Sequence, residues 1–202
     1  MRPKLKVSRL TNLQDARSSA AVGFDMISFS LERGSSKKLP SSSIWSIVNW
    51  LSGPDILIEL NVASLDELQD VQKTMELTWV SLPVADWDLG LRTQLPSQLI
   101  LRADQSSSAD TLLTHIQEAH ALGIQVLIEL DLSSPTQVEA YTSLLPHTFL
   151  HFPALDMTQT FAATSPLIPY GFSLGEEAEE EPNQLDYERI DDFMEVFEAR
   201  FG

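Results

Sequence analysis

Four charged residues sit inside stretches that read as β-strands. Lys6, Glu59, Arg102 and Glu129 fall within short apolar runs, at positions whose alternation could turn them toward a protein interior. A buried charge is tolerated only when it is paired and hydrogen-bonded, which leaves two outcomes. The ordinary one is a structural ion-pair layer; the other is a polar cavity open at Ser8, Asn61 and Asp131. Asp131 follows the apolar run Val126 to Leu130, where a carboxylate could serve as a general acid or cap a loop. Histidines promise little metal chemistry: His115 and His120 are five residues apart on one predicted helix, about 140° around its axis. His147 and His151 come from a loop and a strand, so a histidine metal site is not expected. The chain has no cysteine, which excludes disulfides, thiolate metal ligands and a thiol nucleophile or base.

Those residues need elements to position them. Short apolar runs alternate with helical patterns through most of the 202 residues, the signature of repeated βα units. The pattern predicts strands at Leu5 to Ser8, Asp25 to Leu31, Asp55 to Leu60, Thr78 to Leu82, Gln98 to Arg102, Gln125 to Leu130, Thr148 to Phe152 and Tyr170 to Leu174. A helix is predicted from Ser64, where Ser64 and Glu67 have capping-box spacing, and another over Ala109 to Leu122, closed by Gly123. A shorter one falls over Gln137 to Leu145, and Asp186 to Phe201 ends the chain with Tyr187, Ile190, Phe193, Met194 and Phe197 along one stripe. The connections Val84 to Ser97 and Asp156 to Pro169 contain Gly90, Pro96 and Pro166, so helices there are short or irregular. Trp45 and Trp50 share a predicted helix, as core or interface residues. About eight strands at a period of roughly 25 residues fit one α/β domain over residues 1–202, a (βα)8 TIM barrel. A doubly wound sheet is the rival, but neither a Gly-rich dinucleotide fingerprint nor a Walker-type phosphate loop occurs.

A hydrophobic content of 43% suits one core, and no apolar run is long enough to span a bilayer. The start lacks the apolar stretch of a secretory signal, so a cytoplasmic location is expected. A formal net charge of -16 repels polyanions, which argues against nucleic acid and membrane surfaces as partners. The run Glu176 to Glu181 could dock a basic partner but reads first as a solvated loop.

The opening Lys6-Val7-Ser8-Arg9-Leu10-Thr11, then Asp15-Ala16 and Ala21-Val22-Gly23-Phe24-Asp25, is similar to the opening of the phosphoribosylanthranilate isomerases. Ser35 to Lys38, the passage Asn61 to Leu68, and the ending Pro169 to Leu174 with Glu181-Pro182 and Asp186 to Phe193 extend the resemblance over nearly the whole chain. It implies a cofactor-free Amadori rearrangement of a phosphorylated aminoaldose. That reaction needs a general acid, a general base and an anion cradle for the phosphate. By resemblance Asp131 is the acid, Lys37 faces a substrate carboxylate, Ser81 and Arg102 line the substrate site, and Gly175 belongs to the phosphate cradle.

Several positions depart from the family pattern. Ser8 stands for the family's basic Cys, and a serine hydroxyl is far too weakly acidic to replace it without an activating partner. Arg9 stands for glycine, Ser81-Leu82-Pro83-Val84 for Gln-Leu-His-Gly, and Leu132 to Pro135 for Gly-Gly-Thr-Gly. Pro153-Ala154 replaces Gly-Gly and Gly175-Glu176-Glu177 a Ser-Gly stretch, which removes donors and adds negative charge where a phosphate would bind. The expectation is a barrel that has lost catalysis and binds a small phosphorylated or carboxylated metabolite or a protein partner, as a monomer or homodimer. The alternative is an isomerase of diverged mechanism with Asp131 as acid and an unidentified base.

Overall fold

Runs rich in leucine, isoleucine and valine become strands here because both of their faces can be buried. In the computed structural model, which describes residues 2–88, 90–91, 94–152, 161 and 168–202, they pair as a closed barrel of eight parallel strands in sequence order. These are β1 (Lys4–Val7), β2 (Met26–Ser30), β3 (Asp55–Glu59), β4 (Trp79–Pro83), β5 (Gln98–Asp104), β6 (Gln125–Asp131), β7 (Thr148–His151) and β8 (Gly171–Leu174). The barrel closes where β8 pairs with β1, Ser173 opposite Lys6. This is the (βα)8 architecture that the alternating pattern predicts.

Strand alternation sorts the interior into levels. Met26, Leu57, Trp79, Ile100, Leu127 and Phe149 make an apolar plug separate from the larger core between strands and helices. Two residues further along the same strands come Ser28, Glu59, Ser81, Arg102, Glu129 and His151, so the inward face turns polar above the plug. Lys6 and Ser173 complete this level from β1 and β8. At Gly171 a side chain is excluded: a Cβ would meet the Lys4 carbonyl oxygen and, at 2.5 Å, the Phe149 ring.

Among the described residues, α-helices include α1 (Leu13–Val22), α2 (Ser41–Val48), α3 (Leu65–Thr74), α4 (Ala109–Ala121) and α5 (Tyr187–Phe201). Asn12, Ser108 and Asp186 cap α1, α4 and α5 through backbone N–H groups of the first turn. Gly123 follows α4 with φ 76°, the left-handed stop predicted for it. Ile190, Phe193 and Phe197 of α5 are buried, as the apolar stripe requires.

Four local expectations need correction. The capping box lies one step earlier, between Asn61 and Ser64, and Glu67 instead receives Arg33 and Lys38. The segment over Gln137 to Leu145 is a 3-10 helix, Pro135–His147, bent at Tyr141, with Pro146 unable to donate a helical hydrogen bond in its last turn. Trp50 lies beyond the end of α2, and both tryptophans are exposed, Trp45 at 45% and Trp50 at 71%, so neither belongs to the core. Finally, β9 (Glu179–Glu181) and β10 (Gln184–Leu185) form a small antiparallel hairpin after β8. Much of the connection Asp156 to Pro169 lies outside the described residues. No helix among the described residues is long and apolar enough to cross a membrane.

Candidate functional site: a charged cavity at the strand C-termini

The floor of the site is the polar level of the barrel. Lys6 is fully buried and donates to both Glu129 oxygens, at 2.7 and 2.8 Å, and to Ser8 Oγ at 2.6 Å. Ser173 donates its hydroxyl proton to Glu129. A hydroxyl has one proton, so across the 3.2 Å contact between Ser8 and Ser173 the donor is Ser8. Ser8 therefore gives its proton to Ser173 and a lone pair to an ammonium, an arrangement unsuited to a base.

Glu59 is the second buried carboxylate. It accepts from Ser28 Oγ at 2.6 Å and Arg102 Nη1 at 3.1 Å, with Lys6 at 3.4 Å. Burial alone would raise its pKa, but Lys6, Arg102, Arg9 and Ser28 together outweigh burial and hold it at about 2. Arg102 also donates to Glu32 and, at 2.7 Å, to the Leu60 carbonyl. Burial opposes its charge, yet Glu59 and Glu32 raise its pKa further.

Above this floor lies a cavity of about 190 Å³ whose wall includes Ser8, Arg9, Glu59, Arg102, Glu129 and Asp131, with His151 at one side. Arg9 holds a left-handed backbone with φ 57°, which costs a non-glycine residue roughly 1–2 kcal/mol. Its N–H donates to Ser28 Oγ at 2.7 Å. The guanidinium reaches only ion-pair distances, 3.7 Å from Glu59 and 3.8 Å from Glu176. The buried Nε atoms of both Arg9 and Arg102 have no hydrogen-bond partner among the described residues. Burial works against the Arg9 charge as well, and Glu59, Glu176 and Glu129 more than compensate, so its pKa is raised.

At the rim, His151 lies between two carboxylates. Its Nδ1 contacts Asp131 and its Nε2 lies 2.9 Å from Glu177 Oε2. Burial alone would lower its pKa, but hydrogen bonds to Asp131 and Glu177 lift it to about 10. The ring is thus an imidazolium at neutral pH, with both nitrogens donating. The other Glu177 oxygen accepts the Gly175 N–H at 2.7 Å. A backbone donor and a cation hold an anion here, and that anion is the chain's own carboxylate.

The structure brings Ser8, Arg102 and Asp131 to one cavity. Gly175 stands beside it through His151, the nearest ring atom lying 3.2 Å from where a Gly175 Cβ would be. Ser81 is fully buried in the polar level, and its hydroxyl has no partner among the described residues. Lys37 is also buried, with its ammonium 2.7 Å from both Glu179 oxygens. Pro153 and Ala154 lie outside the described residues. The acidic run is not a free loop: Glu176 reaches Arg9, Glu177 reaches His151 and Glu179 reaches Lys37.

Sequence reasoning missed His151, Glu177 and Glu32 as parts of the site. For His151 a signal existed: it lies two residues beyond Phe149 on β7, so it shares an inward face with an interior residue. Glu177 carries no such mark, since nothing local separates it from its acidic neighbours. Among the described residues, no group of three His, Asp or Glu is placed to hold a metal ion.

A closed parallel barrel with a charged cavity at the C-terminal ends of its strands defines a (βα)8 barrel protein. No protein-family model and no curated protein sequence matches the chain. Among solved structures it is similar to phosphoribosylanthranilate isomerases, the family whose motifs the sequence resembles. One, in complex with reduced 1-(o-carboxyphenylamino)-1-deoxyribulose 5-phosphate, is 17% identical with TM-score 0.79, over 98% of this chain and 99% of that one. A second, the Thermus thermophilus enzyme, is 15% identical with TM-score 0.75, over 97% and 98%. A third, of monomers generated from the dimeric Thermotoga maritima enzyme, is 17% identical with TM-score 0.74, over 98% and 99%. At such identities the likeness is one of fold.

Proposed function

We propose that residues 1–202 form a single phosphoribosylanthranilate isomerase-like barrel domain that has lost isomerisation and binds a small molecule at the same end of the barrel. The observation that carries this reading is the Glu177 carboxylate on the Gly175 N–H and His151. The similar isomerase solved with a ligand binds a 5-phosphate compound. A phosphate brought to this N–H would face a fixed negative charge, at a cost of about 4 kcal/mol per charge pair at 4 Å and an effective dielectric of 20. The state of Ser8 supports the same conclusion, because its proton and a lone pair are already committed to Ser173 and Lys6. The net charge of -16 further favours a protein that avoids nucleic acid, and the reading includes the expected cytoplasmic location and a monomeric or homodimeric state.

Assay of purified protein with phosphoribosylanthranilate tests the reading, and the expected result is no turnover above background. One observation favours the other reading: Asp131 ends β6 and lines the cavity, where a general acid of such a barrel would stand. Turnover that disappears in Asp131→Asn would establish an isomerase of diverged mechanism and overturn the proposal.

A further inference from the structure

The cavity holds an unexplained concentration of unmet donors. Arg9 keeps a backbone conformation that glycine would adopt without strain, so something about its side chain offsets the cost. That side chain makes no hydrogen bond among the described residues, and its buried Nε comes no closer than 3.7 Å to Glu59. Arg102, in the same cavity wall, has a second buried Nε that lacks a hydrogen-bond partner among those residues, although its other two nitrogens are engaged. Both Nε atoms are closed off from the cavity, so the donors a ligand can reach are the Nη groups of Arg9, whose side chain is 30% exposed and makes no hydrogen bond among the described residues, beside the 20% exposed side chain of Arg102.

The sign pattern of the wall narrows the acceptor. Arg9, Arg102 and His151 contribute three positive charges, and Glu59, Glu129 and Asp131 contribute three negative ones. A ligand that adds net charge would unbalance a partly desolvated site, whereas one carrying both signs would not. Glu59 and Glu129 are occupied by the floor network. Asp131, with a side chain 55% exposed, uses only one oxygen on His151 among the described residues. The cavity is small, about 190 Å³, which favours a ligand with a short side chain.

We propose that this cavity binds a small zwitterionic carboxylate, an amino acid with a short side chain, its carboxylate on the Arg9 and Arg102 guanidiniums and its ammonium toward Asp131. This rests on the reading of a ligand-binding barrel without isomerase activity and names the ligand class. Planar forked donors suit a carboxylate, and among the described residues the wall offers no ring of N–H groups that would suit a phosphate.

Isothermal titration and thermal shift with L-serine and L-alanine test the proposal, with malonate and inorganic phosphate in parallel. Serine or alanine should bind and raise the melting midpoint, with malonate and phosphate roughly tenfold weaker or more. Arg9→Gly should still fold, because the left-handed position accepts glycine and Lys6 and Arg102 remain beside Glu59, and should weaken amino-acid binding by roughly 30-fold. Binding of neither amino acid, equal binding by malonate or phosphate, or unchanged affinity in Arg9→Gly would each overturn the proposal. A parallel turnover assay separates the two readings. Isomerase activity would remove the basis of the ligand assignment, whereas an inactive protein that ignores both amino acids would refute the assignment alone.

Discussion

Replacing His151 with glutamine should remove a pH-dependent share of stability whose size follows from the site. The folded-state pKa is about 10 against a reference of 6.5. That difference of roughly 3.5 units corresponds to about 4.8 kcal/mol at ~1.36 kcal/mol per unit. Part of it is screened, because the Asp131 side chain is 55% exposed while Glu177 is only 7% exposed. A net contribution of about 2–3 kcal/mol is therefore expected. The folded state keeps the His151 proton at pH values where the unfolded chain has released it, so the folded state binds more protons and stability falls as pH rises. The contribution is complete below about 6.5, declines across the interval and is gone above about 10. Urea unfolding followed by the fluorescence of the four tryptophans can compare wild type and variant near pH 6, 8 and 10. The gap should be about 2–3 kcal/mol at the acidic end and close toward zero at the alkaline end. A gap of constant size across that range would refute the clamped imidazolium.

Two substitutions test the barrel beneath the site. Glu129→Gln leaves the fully buried Lys6 with Glu59 at 3.4 Å as its remaining carboxylate, and should cost about 3 kcal/mol in chemical denaturation. A loss below about 0.5 kcal/mol would show that the ion-pair layer is dispensable to the fold. Gly171→Ala places a methyl against the Lys4 carbonyl and the Phe149 ring, and should cost about 2–3 kcal/mol by the same measurement. Unchanged stability would mean that β8 can move away from β1 without loss.

Much of the scaffold was legible because its signals are local. Strand alternation and helical spacing record which face of each element is buried, so all eight strands, the α4 stop at Gly123 and the apolar stripe of α5 could be read from the chain. The inward parity of Lys6, Glu59, Arg102 and Glu129 was legible for the same reason. Their partners were not, because pairing is decided by barrel closure: Lys6 meets Glu129 across 123 residues, and Lys37 meets Glu179 across 142. Only the folded chain singled out Glu177 from a run of similar carboxylates and turned an apparent solvated loop into three ion pairs. Only it gave Arg9 a left-handed backbone and an unmet donor over the cavity. Sequence periodicity dictates which side of an element meets the core. Which distant charge a side chain meets is set by strand order and register, and these exist only once the sheet has closed.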